Sequence, residues 1–237
     1  MPLPLALLRR FLRGTDGAIT VEYVVLAAGI TGLSVAAYGS VTDGLGALAG
    51  TVEGEINGTA SDGAVGKTYI EGFRSGADGW SGAEATDMMG IGEVLGPIGG
   101  SGGAPTVSRD FVTDPDAAKA TFQFDLYAMD SLDRESGVIY IDGKEVGRVT
   151  RNHLKGTTFT PAEGLAERGI IVRAEIVDDD IQLGGSTSWR DALSVISISV
   201  KDPGDTVNFG FGSTADQGVG DESFAIDNFV ATGLRDL

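Results

Sequence analysis

The sequence predicts a segregated α+β chain: a long N-terminal hydrophobic helix followed by an antiparallel β-sandwich of the jelly-roll kind. Three observations predict it. The stretch from Tyr23 to Val41 carries no charged residue. From Lys67 onward, short segments alternate apolar and polar residues, the period of a half-buried strand. These segments are separated by Gly- and Asp-rich turns and include no convincing helical pattern, which is the signature of a sandwich.

In chain order, residues 1–17 (MPLPLALLRRFLRGTDG) place Arg9, Arg10 and Arg13 after a short apolar part and before the long apolar run. A secretory signal peptide has the reverse order, charge first and a cleavage site after the apolar run. Basic residues just ahead of a spanning helix hold that end in the cytoplasm. The apolar run is about long enough to cross a bilayer core. The expectation is a single-pass inner-membrane protein with its N-terminus inside. Ala28, Gly32, Ala36 and Ser40 recur every four residues, a face of small side chains that lets helices approach closely. Leu45, Leu48, Val52 and Ile56 extend the pattern as an amphipathic continuation, so a helix over 18–56 is expected, roughly 55–60 Å long.

Residues 57–66 (NGTASDGAVG) are small, polar and Gly-rich, hence a linker. Residues 67–237 form the head. Strands are expected at 121–129, 170–177, 192–200, 206–212 and 224–233. A hairpin is expected over 137–149, with Asp142-Gly143 as a type I′ turn. About 170 residues suit eight or more strands.

Composition excludes several functions. With 237 residues, 42% of them hydrophobic, the chain is too apolar to be disordered. A net charge of -17 disfavours nucleic acid and anionic membrane surfaces as partners. No Cys means no disulfide or thiolate metal site, and a single His argues against a His-based catalytic metal. The Gly99–Gly103 run is followed by no Lys-Ser/Thr and opens no helix, so it is not a phosphate loop. No pair of carboxylates is set across a recognisable cleft, and the chain reads as a non-enzyme.

Gly17, then Ala18-Ile19-Thr20-Val21, then Glu22-Tyr23 and an apolar run behind a basic leader, resembles the processing motif of type IVb prepilins of the Flp/Tad class. The resemblance implies cleavage by a prepilin peptidase between Gly17 and Ala18, making 1–17 a leader and Glu22 the fifth residue of the mature chain. It also implies other pilin subunits as partners, in an extracellular filament at the cell surface. A buried, unpaired charge is costly. Glu22, beside Tyr23, is placed to pair with the new amine of a neighbouring subunit and fix the stagger, while Ala28, Gly32 and Ala36 pack the filament core. The other reading is an ordinary signal anchor with Glu22 reaching the interface. Flp pilins are short and nearly all helix, so a large head marks a departure.

The head resembles concanavalin-like and carbohydrate-binding-module jelly rolls. The resemblance is carried by EGFRSGADGWSG (71–82), LGPIGGSGG (95–103), FDLYAMDSLDRESGVIYIDGKEV (124–146) and DESFAIDNFVATG (221–233). It implies that the strand at Glu71 and the closing IDNF strand lie side by side, with Glu71 and Asp227 as calcium ligands.

Apart from the resemblance, Asp130, Asp133 and Glu135 offer three carboxylates in six positions between two strands. Calcium takes six to eight oxygens from such loops; a solvated acidic loop is the other reading. Asp178-Asp179-Asp180 reads as a turn with solvated charge. Trp189, in SWRD after a Gly-Gly-Ser-Thr-Ser loop, is a candidate platform for stacking a sugar ring, with packing as the alternative. Trp80 reads as core and His153 as a surface loop residue. The leading expectation is a type IVb-like pilin or minor pilin displaying a β-sandwich head for adhesion. The alternative is a membrane-anchored carbohydrate-binding protein that does not assemble, and a surface glycan-active enzyme ranks last. Surface glycans are the expected ligands and structural calcium the expected cofactor.

Overall fold

The computed structural model describes residues 66–88, 90–183 and 188–235. Every regular element among them is a strand: β1 (Lys67–Glu71), β2 (Ala85–Met88), β3 (Gly92–Ile98), β4 (Val107–Val112), β5 (Lys119–Asp130), β6 (Asp133–Ile141), β7 (Lys144–Asn152), β8 (Gly156–Pro161), β9 (Ile170–Ile181), β10 (Asp191–Lys201), β11 (Thr206–Ser213) and β12 (Glu222–Leu234). The segregated α+β expectation is corrected to an all-β sandwich, because no described segment has the 3.6-residue apolar period that helix burial needs. Among the described residues no helix is long and apolar enough to cross a membrane. The helix expected over 18–56 lies outside the described residues, as do Gly17, Ala18, Glu22, Tyr23, Ala28, Gly32 and Ala36.

One sheet has the order β2-β3-β12-β5-β10-β9, with β1 also pairing β12, and the other has the order β4-β11-β6-β7-β8. All the ladders are antiparallel. Strand periodicity explains which faces meet. On β5, Ala120, Phe122, Phe124 and Leu126 are buried; on β10, Ala192, Ile196, Ile198 and Val200 are buried between half-exposed Leu193, Val195, Ser197 and Ser199. The β6–β7 hairpin turns at Asp142-Gly143 with φ of 54° and 69°, the two positive values of a type I′ turn. Gly82 is obligatory for packing: its φ is +90°, and a Cβ there would sit 1.6 Å from the Thr106 carbonyl oxygen.

The sheets are joined by an aromatic core. Phe229 of β12 lies 4.9 Å from Trp80, 5.0 Å from Phe209, 5.6 Å from Phe111 and 5.7 Å from Phe124, ring centroid to centroid. A bulge puts it there. Asp227 pairs with Asp125 and Val230 with Gln123, so three steps along β12 match two along β5. Strict alternation from buried Phe224 and Ile226 would aim Phe229 outward; the extra residue lets Asn228 (φ 49°) stay exposed and turns Phe229 inward. Trp80 is core, as its sequence context suggested, and its Nε1–H donates to Tyr69 Oη at 3.2 Å.

Truncating Phe229 removes a fully buried ring that both sheets share. Phe229→Ala is expected to lower stability by about 3–5 kcal/mol in urea unfolding, as for other buried Phe truncations. A loss under about 1 kcal/mol would show that this ring does not tie the sheets together.

Candidate functional site

The strongest constellation sits where the β9–β10 loop meets the β7–β8 turn. Trp189 is half-buried, and its ring lies 4.5 Å from that of His153, tilted by 59°. His153 is fixed from below. Its Nδ1 lies 3.0 Å from Ser131 O and 2.9 Å from Leu132 O. Carbonyls only accept, so Nδ1 carries the proton and donates to them. Its backbone N–H also donates to Leu132 O, at 2.9 Å. The Trp189 carbonyl accepts from Gln182 Nε2 at 3.0 Å. Next to His153 in the chain, Leu154 is 81% exposed among the described residues.

A buried polar frame holds this loop. Arg151 of β7 is 1% exposed. Its Nη2 donates to Arg190 O at 2.7 Å, and its Nη1 donates to Asp179 of β9 and, at 3.2 Å, to Thr157 Oγ1. Asp179 also accepts from the Thr157 backbone N–H at 2.9 Å. This corrects the solvated-turn reading of 178–180: Asp179 lies within β9 and is bonded across the sheets, because a buried guanidinium needs a charged acceptor. Asp191, fully buried, accepts from the Asp130 backbone N–H at 2.6 Å and from that of Leu183. Burial pushes its carboxyl up to about 6, against the lowering effect of those two N–H donors and of Arg151.

The five expected calcium ligands separate. Asp130 is buried, with φ 68° and its backbone N–H on Asp191, and Asp133 is exposed. Glu135 turns the other way and meets Asp216 and Glu222, residues the sequence reading did not assign. One carboxylate oxygen from each of the three lies within 4.8 Å of the others. Glu135 and Glu222 are buried, and burial raises the Glu222 carboxyl, with Glu135 adding to the rise. Two calcium–oxygen bonds of about 2.4 Å span such separations, so these residues fit a divalent cation. Glu71 and Asp227 come together elsewhere, on β1 and β12, where Glu71 pairs in register with Phe229. Both Glu71 oxygens are engaged: Oε1 accepts from the Phe73 N–H at 2.8 Å and Oε2 from Tyr69 Oη at 3.0 Å. Asp227 Oδ1 is buried without a hydrogen-bond partner, an orphan a cation would satisfy. Burial is the main cause raising its carboxyl, and Arg74 counters the rise.

Sequence reasoning missed His153, Arg151, Asp191, Asp216 and Glu222. The signal for His153 was its place as the single His in a loop right after a strand. The others depend on pairing between segments far apart in the chain.

No protein-family model matches the chain, and no curated protein matches it. Among solved structures, it is similar to the CBM35 of Abf62 from Cellvibrio japonicus (11% identity, 71% of this chain and 100% of that one, TM-score 0.34). It is also similar to the C-terminal CBM6 of the laminarinase LamC from Zobellia galactanivorans (12%, 70% and 99%, TM-score 0.33) and to the sugar-binding C-terminal domain of EclA (9%, 56% and 71%, TM-score 0.31). These neighbours are carbohydrate-binding jelly-roll domains, too distant to carry their ligands over to this chain. Nothing in the comparisons bears on Gly17–Tyr23.

The Asp191 carboxyl gives a pH signature. Its folded-state pKa lies above the unfolded value near 4, so the native state holds the proton more tightly. The stability this contributes is complete below pH 4 and is lost as pH rises through about 6. In urea unfolding from pH 4 to 7, Asp191→Asn is expected to remove part of the decline seen in the wild type. Identical pH slopes would contradict the burial of an ionisable group there.

Proposed function

We propose that the β-sandwich is a non-catalytic carbohydrate-binding domain whose ligand platform is Trp189 backed by His153. The observation that carries this reading is the half-buried indole braced on an imidazole at the sandwich end, beside exposed Leu154. Sugar rings present C–H faces that pack on aromatic surfaces, and their hydroxyls pair with polar rims. The exposed Arg190, next to Trp189 in the chain, supplies such a rim.

A structural calcium accompanies this reading, with Glu135, Asp216 and Glu222 as its ligands. When bound, the ion supplies positive charge that offsets repulsion between buried carboxylates. It takes no part in chemistry on the sugar.

Display on a filament belongs to the same proposal, and its support is the prepilin-like run Gly17–Tyr23. Processing after Gly17, Glu22-directed assembly with other pilin subunits, and passage from the inner membrane to the cell surface would present the sandwich outside the cell. Intact-mass analysis of the extracellular form should give a chain starting at Ala18; one starting at Met1 would rule out this processing.

On an array of plant, algal and bacterial polysaccharides, Trp189→Ala is expected to weaken the strongest signals at least about tenfold, the scale of losing an aromatic anchor. Unchanged binding would remove Trp189 from the site. For calcium, a chelator at constant ionic strength should lower the melting temperature and Glu222→Gln should abolish that sensitivity. A chelator-insensitive wild type would refute the ion.

A further inference from the structure

A cavity lies at the β1–β12 pair, with β5 between β12 and the β10–β9 pair that carries the Trp189 loop. Its volume is about 330 Å³ and it is open to solvent. Ile70, Glu71, Arg74, Ser75, Asn228 and Val230 line it. The bulge in β12 creates it, since it leaves Asn228 exposed between Asp227 and the inward Phe229.

Its groups are available to a ligand. Ile70 is 74% exposed and pairs in register with half-exposed Val230, a small aliphatic patch. The exposed Arg74 side chain makes no hydrogen bond or salt bridge among the described residues and its charge reaches Asp227, so its N–H donors are open to a ligand. The Asn228 side-chain N–H donates to Asp125 Oδ2 at 2.8 Å, which leaves its Oδ1 as an acceptor.

The mix selects a ligand class. A purely apolar ligand would cover the Arg74 donors and the Asn228 Oδ1 without pairing them, which is costly. A carboxylate-bearing ligand would meet Glu71, Asp125 and Asp227 against one guanidinium. A neutral sugar offers hydroxyls that both donate and accept, plus a C–H face for Ile70 and Val230.

We propose that this cavity is a second binding site for a neutral pyranose, such as a chain end or side branch of the glycan held at Trp189. It rests on the reading that the sandwich binds glycans. Two sites on one domain raise avidity for a polymer without strong binding at either.

The test is a titration of the full-length, ¹⁵N-labelled protein in detergent micelles. The probes are glucose, galactose, mannose and N-acetylglucosamine, with calcium chloride as a separate arm. The Arg74 Nε–H and Asn228 side-chain signals are expected to shift saturably with at least one sugar, in the wild type and in Trp189→Ala alike. Arg74→Ala and Ile70→Ser, both changes at exposed positions, are expected to weaken that binding about tenfold at the remaining signals. Shifts at the Trp189 indole alone would overturn the second site and leave the carbohydrate-binding reading standing. Silence at both places would overturn both. A response at Arg74 and Asn228 to calcium alone would overturn the sugar assignment.

Discussion

The structure depends on one irregularity, the extra residue in β12 between Asp227 and Val230. A strand of regular pleat would send Phe229 to the outer face and leave the aromatic core without its shared ring. The bulge reverses the alternation once. It thereby settles three things together: Phe229 seals the sheets, Asn228 emerges at the surface, and Asp227 is left half-buried with an unpaired oxygen next to β1. A packing requirement and a polar surface feature have the same backbone cause.

The end of the sandwich that carries the β9–β10 loop is held by charge rather than by aromatic packing. Arg151 crosses from one sheet to Asp179 and to the Arg190 carbonyl on the other. Burying a guanidinium costs several kcal/mol, and only well-placed acceptors offset it. Asp191 does similar work with two backbone N–H groups. Together they fix the β9 and β10 strands that flank Trp189. A rigid frame suits a binding surface, because a preorganised aromatic loses little freedom when a ligand packs on it. The indole–imidazole contact is therefore the outer layer of a framework built deep in the fold.

Much of the sandwich was legible in the sequence. The alternation in 121–129, 192–200 and 206–212, and the Asp142-Gly143 turn, depend on local pattern alone, and the corresponding strands and hairpin are where they were expected. Short strands β1, β2, β4 and β8 carry too few residues for a period to stand out. The segregated α+β class failed for the described residues, all of whose regular elements are strands. The bulge was visible only as a break in alternation at Asp227-Asn228, two polar residues in succession inside an apolar strand. Site residues fared by range. The Trp189 candidate rests on its loop context, whereas the grouping of Glu135 with Asp216 and Glu222 joins residues about 80 positions apart, which no local pattern reports. Asp130 lies before the turn at 131–132 and is buried with its N–H on Asp191, and Asp133, on β6 with Glu135, is exposed.

The central claim is that Trp189, and not the other tryptophan, meets the sugar. The most direct measurement follows the two indole Nε1–H signals in ¹⁵N-labelled protein during titration with a bound polysaccharide's oligosaccharides. Trp80 is buried and hydrogen-bonded to Tyr69, so it serves as the internal control. The account predicts a saturable shift of the Trp189 signal with the Trp80 signal unmoved. Saturable binding that leaves the Trp189 signal in place would contradict it.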